Sequence, residues 1–281
     1  MMSYYEFIFE VVPEAAETLT QLLSDRGCLG VYEREHRLFS YFPDSMGIER
    51  IRKMVAESSL AIMTSGLQSD LSYSYSYLSE RDWNETWKKK YQPIDVGETL
   101  TIIPPWETAP DGRTAIIIDP GMAFGTGHHE TTRFCLASIE RLCRQASHGR
   151  FCDIGTGTGI LAIAARKLGF AEAAGVDIDP LAVDAARRNV RLNELDNVII
   201  YEGSIEKTTG HFDLVAANLL SETLKALAHE IEARMKPHSL ALLSGILTGQ
   251  EDEVIEVFSA LGTAVEEKLS DGRWISLVIR R

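Results

Sequence analysis

The chain has 281 residues, 45% hydrophobic and 25% charged, an ordinary balance for a globular protein of one large domain or of a main domain with a smaller companion. Its 28 basic and 41 acidic residues give a formal charge of −13, which argues against gripping a nucleic-acid backbone and suits a basic partner. The composition excludes a disordered or collagen-like chain. No apolar run reaches the ~18–20 residues of a membrane span.

Met1–Glu10 meets an acid at Glu6 and has no basic stretch ahead of an apolar one, so a secretion signal is not expected and the cytoplasm is the expected compartment. Tyr5–Val11 alternates as a strand does. Pro13–Arg26 carries a helix face in Leu19, Leu22 and Leu23, with Gly27 as its stop. Leu29–Glu33 and Leu38–Phe42 read as short strands, and Ile48, Ile51, Met54 and Val55 have helical spacing. In Leu71–Tyr77, Leu71, Tyr73, Tyr75 and Tyr77 share one face and three serines the other. The order β-α-β-β-α-β predicts a small ferredoxin-like α+β domain over residues 1–78, with a sheet face or edge open to another protein. A linker helix is predicted over 79–92, where Trp83, Trp87 and Tyr91 share a face and Ser79 with Asp82 resembles a capping box.

The predicted main domain runs from 93 to 281. Strands are expected at Ala115–Asp119, Phe151–Ile154, Ala174–Ile178, Val198–Tyr201, Leu214–Ala217 and Leu240–Ser244, then at Val265–Leu269 and Trp274–Ile279, joined by Asp271-Gly272 as a hairpin. Helices are expected at Ile160–Leu168, after Asp179-Pro180, and near Glu251–Leu261. This alternation predicts an α/β fold with a largely parallel sheet covered on both faces. Cys28, Cys135, Cys143 and Cys152 form no C-x-x-C pair and read as reduced thiols.

Asp153-Ile154-Gly155-Thr156-Gly157-Thr158-Gly159 follows a strand and opens a helix. Missing side chains let a ligand approach the backbone. A dinucleotide fingerprint would place its last glycine at Ile160, so the turn disfavours NAD or FAD and fits S-adenosyl-L-methionine, which has no pyrophosphate. Asp177, at the end of the next strand, can accept bonds from the vicinal hydroxyls of an adenosyl ribose. Asp153 could orient an ammonium group or satisfy loop amides. Asn218, after another strand, could accept a bond from an attacking amine or form a turn. The loop Asp119–Thr132, with Gly121, Gly125, Gly127 and Phe124, reads as a lid, and Thr131 and Thr132 are expected to begin a helix. Adjacent His128 and His129 with Glu130 lack helical ligand spacing, so no metal is expected.

Together these segments resemble the family of bacterial ribosomal protein L11 methyltransferases (PrmA). The likeness runs through Asp82-Trp83, Trp87, Tyr91, the lid, the glycine turn, Gly175–Pro180, Asn189 and Ala217–Leu220. It covers the whole chain and departs from the family's common form at His128 and Glu130. It implies a seven-stranded, Rossmann-like class I methyltransferase domain with the ferredoxin-like domain recognising the substrate. It implies S-adenosyl-L-methionine contacts at Thr132, Gly155, Asp177 and Asn218, to which the turn and lid add Gly157 and Phe124. The implied activity is methylation of lysine ε-amines, and of an α-amine, in ribosomal protein L11, without a catalytic base. Neither direct nucleic-acid binding nor a membrane is expected. Methylation of another protein, such as the electron-transfer flavoprotein β subunit, a nucleotide-dependent oxidoreductase, and a non-catalytic ribosome-binding module stand as alternatives.

Overall fold

The computed structural model describes residues 3–24, 26–34, 37–68, 70–78, 92–119, 125–127, 129–144 and 149–281. The chain divides into two compact units, 1–90 and 91–281. The expected linker helix, with Trp83, Trp87 and Tyr91, falls on 79–91 and lies outside the described residues.

The first unit runs β1 (Tyr4–Glu10), α1 (Pro13–Ser24), β2 (Gly30–Arg34), β3 (Arg37–Pro43), α2 (Ile48–Thr64) and β4 (Tyr73–Leu78). Its sheet has the order β2-β3-β1-β4, antiparallel throughout. Phe7, Phe9, Leu38 and Phe42 pack with Leu19, Leu23, Ile51 and Val55 in its core. Tyr73 and Tyr75 align with Phe9 and Phe7, and the Tyr75 ring stacks on Phe7 at 5.1 Å. Tyr75 and Tyr77 nonetheless stay exposed. β4 is an edge strand with a single neighbour, so its alternation does not bury a full face.

The second unit holds two sheets. The larger contains β8 (Arg150–Ile154), β9 (Glu172–Asp177), β10 (Val198–Glu202), β11 (Phe212–Asn218), β12 (Met235–Leu247), β13 (Ala264–Asp271) and β14 (Trp274–Arg280). Their order is β10-β9-β8-β11-β12-β14-β13. All are parallel except β14, which runs antiparallel to both neighbours. The helices are α3 (Glu130–Cys143), α4 (Ile160–Lys167), α5 (Pro180–Leu192), α6 (Ser221–Ala226), α7 (Ala228–Arg234) and α8 (Glu251–Ala260). One face buries Phe151, Leu214, Ala216 and Leu242 with Ile163 and Leu136; the other buries Cys152, Val215 and Leu243 with Ile231 and Phe258. Such two-sided burial is why these strands read as continuous apolar runs. The chain leaves β8 toward β9 and β10, then returns to β11 on the opposite side of β8. Ligands bind open sheets of this kind at the carboxyl ends flanking that reversal.

The segment expected as a sheet strand at Ala115–Asp119 is instead β7 (Thr114–Ile117), in a separate sheet with β5 (Ile94–Val96) and β6 (Leu100–Ile103). Apolar residues there signalled burial but could not say beside which strand. The Glu140 carboxylate of α3 holds this small sheet by accepting from the Glu98 and Thr99 amides at 2.8 and 2.7 Å. Arg113 holds it from within, donating to the carbonyls of Glu98, Leu100 and Val96. The short helices α6 and α7 were not anticipated. Among the described residues, no helix is long and apolar enough to cross a membrane.

Candidate active site

The glycine turn connects β8 to α4 with Gly155, Gly157 and Gly159 at φ +70°, +54° and +82°, a region L side chains adopt at a cost. The Gly155 and Thr156 amides both donate to the Val176 carbonyl at 2.9 Å, tying the turn to β9. A Cβ on Gly155 would lie 2.5 Å from Leu219 Cδ2, and one on Gly159 would lie 3.2 Å from Ala186 Cβ. Gly159 also caps α4 in the left-handed conformation.

Asp177 ends β9 beside this turn. The Gly157 amide donates to its Oδ2 at 2.9 Å and the Asp179 amide to its Oδ1 at 3.0 Å. A carboxylate offers about four lone-pair directions, so each oxygen is oriented and keeps capacity for a further donor. Asp179 accepts from the Leu181 amide at 2.9 Å with Pro180 in the first helical position, which is its expected capping role.

Asp153 lies beneath the turn and is 1% exposed. Burial pushes its carboxyl up to about 7, against the bond from Thr156 and with help from Asp177. Thr156 Oγ1 donates to its Oδ2 at 2.6 Å.

The loop between β7 and α3 is fastened at both shoulders. At one, the Asp119 amide donates to Asn189 Oδ1 at 2.9 Å, while Asn189 Nδ2 donates to the Thr158 carbonyl at 2.8 Å. Asn193, one turn on, exchanges both bonds with the Ile117 backbone and so occupies the place of a neighbouring strand. At the other, Thr158 Oγ1 donates to the Gly125 carbonyl at 2.6 Å. Phe124, Pro120–Ala123 and His128 lie outside the described residues. The sequence reading missed Asn193 and Thr158. The available signal was two asparagines four apart, Asn189 inside α5, where competition with the backbone is otherwise unfavourable, and Asn193 at its C-cap.

The helix expected to begin at Thr131 begins at Glu130, because His129 caps it: the Thr131 amide donates to His129 Nδ1 at 3.2 Å. Thr131 Oγ1 sits 2.7 Å from the same nitrogen, and Asn218 Nδ2 donates to Thr131 Oγ1 at 3.1 Å. The imidazole meets the Trp274 ring edge-on at 5.5 Å. Burial holds the His129 pKa below its usual value; Glu130 opposes this, and Arg133 and Arg273 add to it. Thr132 is buried, and its Oγ1 has no hydrogen-bond partner among the described residues. Among those residues no three His, Cys, Asp or Glu groups lie together as a metal site.

The structure thus brings Gly155, Gly157 and Asp177 together at the ends of β8 and β9. It joins Asn218, at the end of β11, to Thr131 beside Thr132. Two features fit an adenosyl ligand: a turn of three glycines held at positive φ, and a carboxylate aimed by two amides. The orphaned Thr132 hydroxyl is a further polar group at the same end of the sheet.

A family model described as ribosomal protein L11 methyltransferase (PrmA) matches residues 3–281. A ribosomal protein L11 methyltransferase of Trichlorobacter lovleyi is 36% identical over 300 residues, covering 99% of this chain and 98% of that protein. One from Bacillus cereus is 32% identical over 313 residues, covering 99% of each. The crystal structure of a ribosomal protein L11 methylase from Lactobacillus delbrueckii subsp. bulgaricus is 33% identical with a TM-score of 0.63, covering 68% of this chain and 99% of that one.

Proposed function

This chain belongs to the ribosomal protein L11 methyltransferase (PrmA) family, and from that premise we propose that it is an S-adenosyl-L-methionine-dependent methyltransferase that modifies lysine ε-amines, and an α-amine, of ribosomal protein L11. Its large sheet is that of a Rossmann-like class I methyltransferase. The observation that carries the reading is Asp177, whose two oxygens are set by the Gly157 and Asp179 amides beside a phosphate-free glycine turn.

The residues that would hold the donor are Thr132, Gly155, Gly157, Asp177 and Asn218, with Phe124 from the lid. When bound, the donor supplies an electrophilic methyl group on a positive sulfonium. The chain's own task is to receive a neutral amine. A lysine with pKa ~10.4 is almost wholly cationic near neutrality, and removing its proton costs about 4 kcal/mol. Burial disfavours the ammonium form and lowers that cost. Water takes the proton before the amine is enclosed, so no side chain is assigned as a base. Asn218 Oδ1 then accepts an amine N–H, which turns the nitrogen lone pair toward the reacting carbon. Holding the reactants in line supplies the remaining gain.

Residues 1–78 form the substrate-recognition domain in this reading, 79–92 the linker and 93–281 the catalytic domain. The net charge of −13 suits a basic ribosomal protein, free or on the large subunit, rather than nucleic acid or a membrane; the cytoplasm is the compartment this reading proposes. The test is mass spectrometry of L11 after incubation with the chain and isotopically labelled donor. Labelled mono-, di- or trimethyl-lysine is expected. Unlabelled L11 alongside another labelled protein would refute the substrate, and no donor binding in calorimetry would refute the activity.

A further inference from the structure

We infer that His129, acting through Thr131, decides which atom Asn218 presents to the substrate amine, and that this atom is the acceptor Oδ1. The inference rests on the reading of Asn218 given above. It follows from a chain of hydrogen-bond roles read outward from the Thr131 amide, which shares the Nδ1 lone pair with the Thr131 hydroxyl.

The first link is fixed by the backbone. The Thr131 amide can only donate, and it points at His129 Nδ1 from 3.2 Å. Nδ1 is therefore unprotonated, and the neutral ring carries its proton on Nε2. The second link follows. Thr131 Oγ1 lies 2.7 Å from the same Nδ1, so the hydroxyl must donate to it. Having used its proton there, the hydroxyl can only accept from its other neighbour. The third link is the Asn218 amide at 3.1 Å. It must turn Nδ2 toward Thr131, which leaves Oδ1 as the outward atom. The outward amide group is the one able to receive an amine N–H. The reverse orientation would set an N–H donor against the incoming N–H. His129 and Thr131 are thus positioning residues, and neither need touch the substrate.

Protonation breaks the first link. A proton on Nδ1 would set an N–H against the Thr131 amide N–H, and a positive ring at a helix N-terminus opposes the helix dipole. The charged groups facing the ring are Glu130 and Arg133 on α3 and Arg273 in the β13–β14 turn; the Trp274 ring covers one edge. Burial is the largest influence, and Arg133 and Arg273 add to it against Glu130, so the ring loses its proton more readily than an ordinary histidine.

Side-chain 15N NMR of the full chain, without donor or L11, tests the relay directly. His129 should show the Nε2–H tautomer and titrate below 6.5, its unperturbed value. The Asn218 side-chain amide should shift with the same midpoint. In Thr131→Val the histidine should still titrate while the Asn218 amide no longer follows it. If that variant does not fold, His129→Asn retains a cap acceptor without a titrating group, and the Asn218 amide should then lose its dependence on pH. In turnover on L11, Thr131→Val should lower kcat roughly ten- to a hundredfold and leave the calorimetric donor affinity near that of the wild type. An Nδ1–H tautomer, or an Asn218 amide indifferent to the His129 titration, overturns the inference. A coupled titration in a chain that transfers no methyl group to L11 refutes the functional reading and leaves the relay standing.

Discussion

The two ligand-facing shoulders of the large sheet are built in different ways. At the ends of β8 and β9, geometry is carried by backbone: three glycines at positive φ, two amides on one carbonyl, and two amides on Asp177. At the end of β11, it is carried by side chains from distant segments: Asn218, Thr131 and His129. Leu219 lies between them. Its side chain lies against Gly155, and its carbonyl lies 2.6 Å from where a Cβ on Gly245 would stand. In the proposed site the first construction would hold a ligand in a fixed place. The second can change state with a single proton.

The contrast can be broken most forcefully at Gly245. It has φ +83° and backbone, not side chain, in its way. Gly245→Ala is expected to cost about 4 kcal/mol through strain and displacement of Leu219, read as a lowered urea midpoint. Gly155→Ala meets only a flexible leucine end, so its cost should be nearer 1–2 kcal/mol. Equal losses would mean that the Leu219 backbone yields at Gly245 as readily as its side chain yields at Gly155. Next comes Asn189→Ala. Asn189 is 1% exposed, and its loss would strand the Asp119 amide and the Thr158 carbonyl. Two unsatisfied groups should cost about 3 kcal/mol. Amide exchange should quicken at Asp119, and a silent Asp119 would show that the lid is fastened elsewhere.

The same contrast explains what could be read from the sequence. Gly155, Gly157 and Gly159 were legible because positive φ needs glycine. Asp179-Pro180 was legible because a cap and its first turn are contiguous. The strands β8 to β12 and β14 announced themselves by apolar residues and β13 by the Asp271-Gly272 hairpin, and the seven-stranded sheet implied by the resemblance is the one observed. What escaped was everything set by distant partners. His129 read as half of a tempting histidine pair and is a helix cap. Glu140 carried no signal in the sequence and is a buried anchor for β5 and β6. The run at 115–119 joined another sheet because Asn193 takes the backbone of Ile117. Local pattern fixes an element's type; its neighbour depends on residues up to 76 positions away.

Asp177→Ala sharpens the comparison at smaller scale. It removes the acceptor of two backbone bonds near the surface, so folding should change by less than about 1 kcal/mol. Donor affinity should fall tenfold or more, from lost charge-assisted bonds worth ~1.5–3 kcal/mol. Unchanged affinity in calorimetry would remove Asp177 from the site.

The last test concerns Asp153, the buried carboxyl of the backbone-built shoulder. Burial raises Asp153 to about 7 in the folded chain, above the 3.8 of an unperturbed carboxyl. The native state therefore holds this proton where the unfolded chain has released it. The stability this contributes is complete below 3.8, fades as pH rises, and is gone once pH passes about 7. Asp153→Asn mimics the protonated carboxyl and can still accept from Thr156, so the variant should lose that part of the pH dependence. Urea midpoints at about pH 5 and about pH 8 check this: the wild type should weaken between them by about 2–3 kcal/mol more than the variant. Identical slopes would mean that Asp153 is ionised in the fold like an exposed carboxylate. Its charge would then sit beside Asp177 at neutral pH, and the shoulder at β8 and β9 would be held against repulsion as well as by backbone geometry.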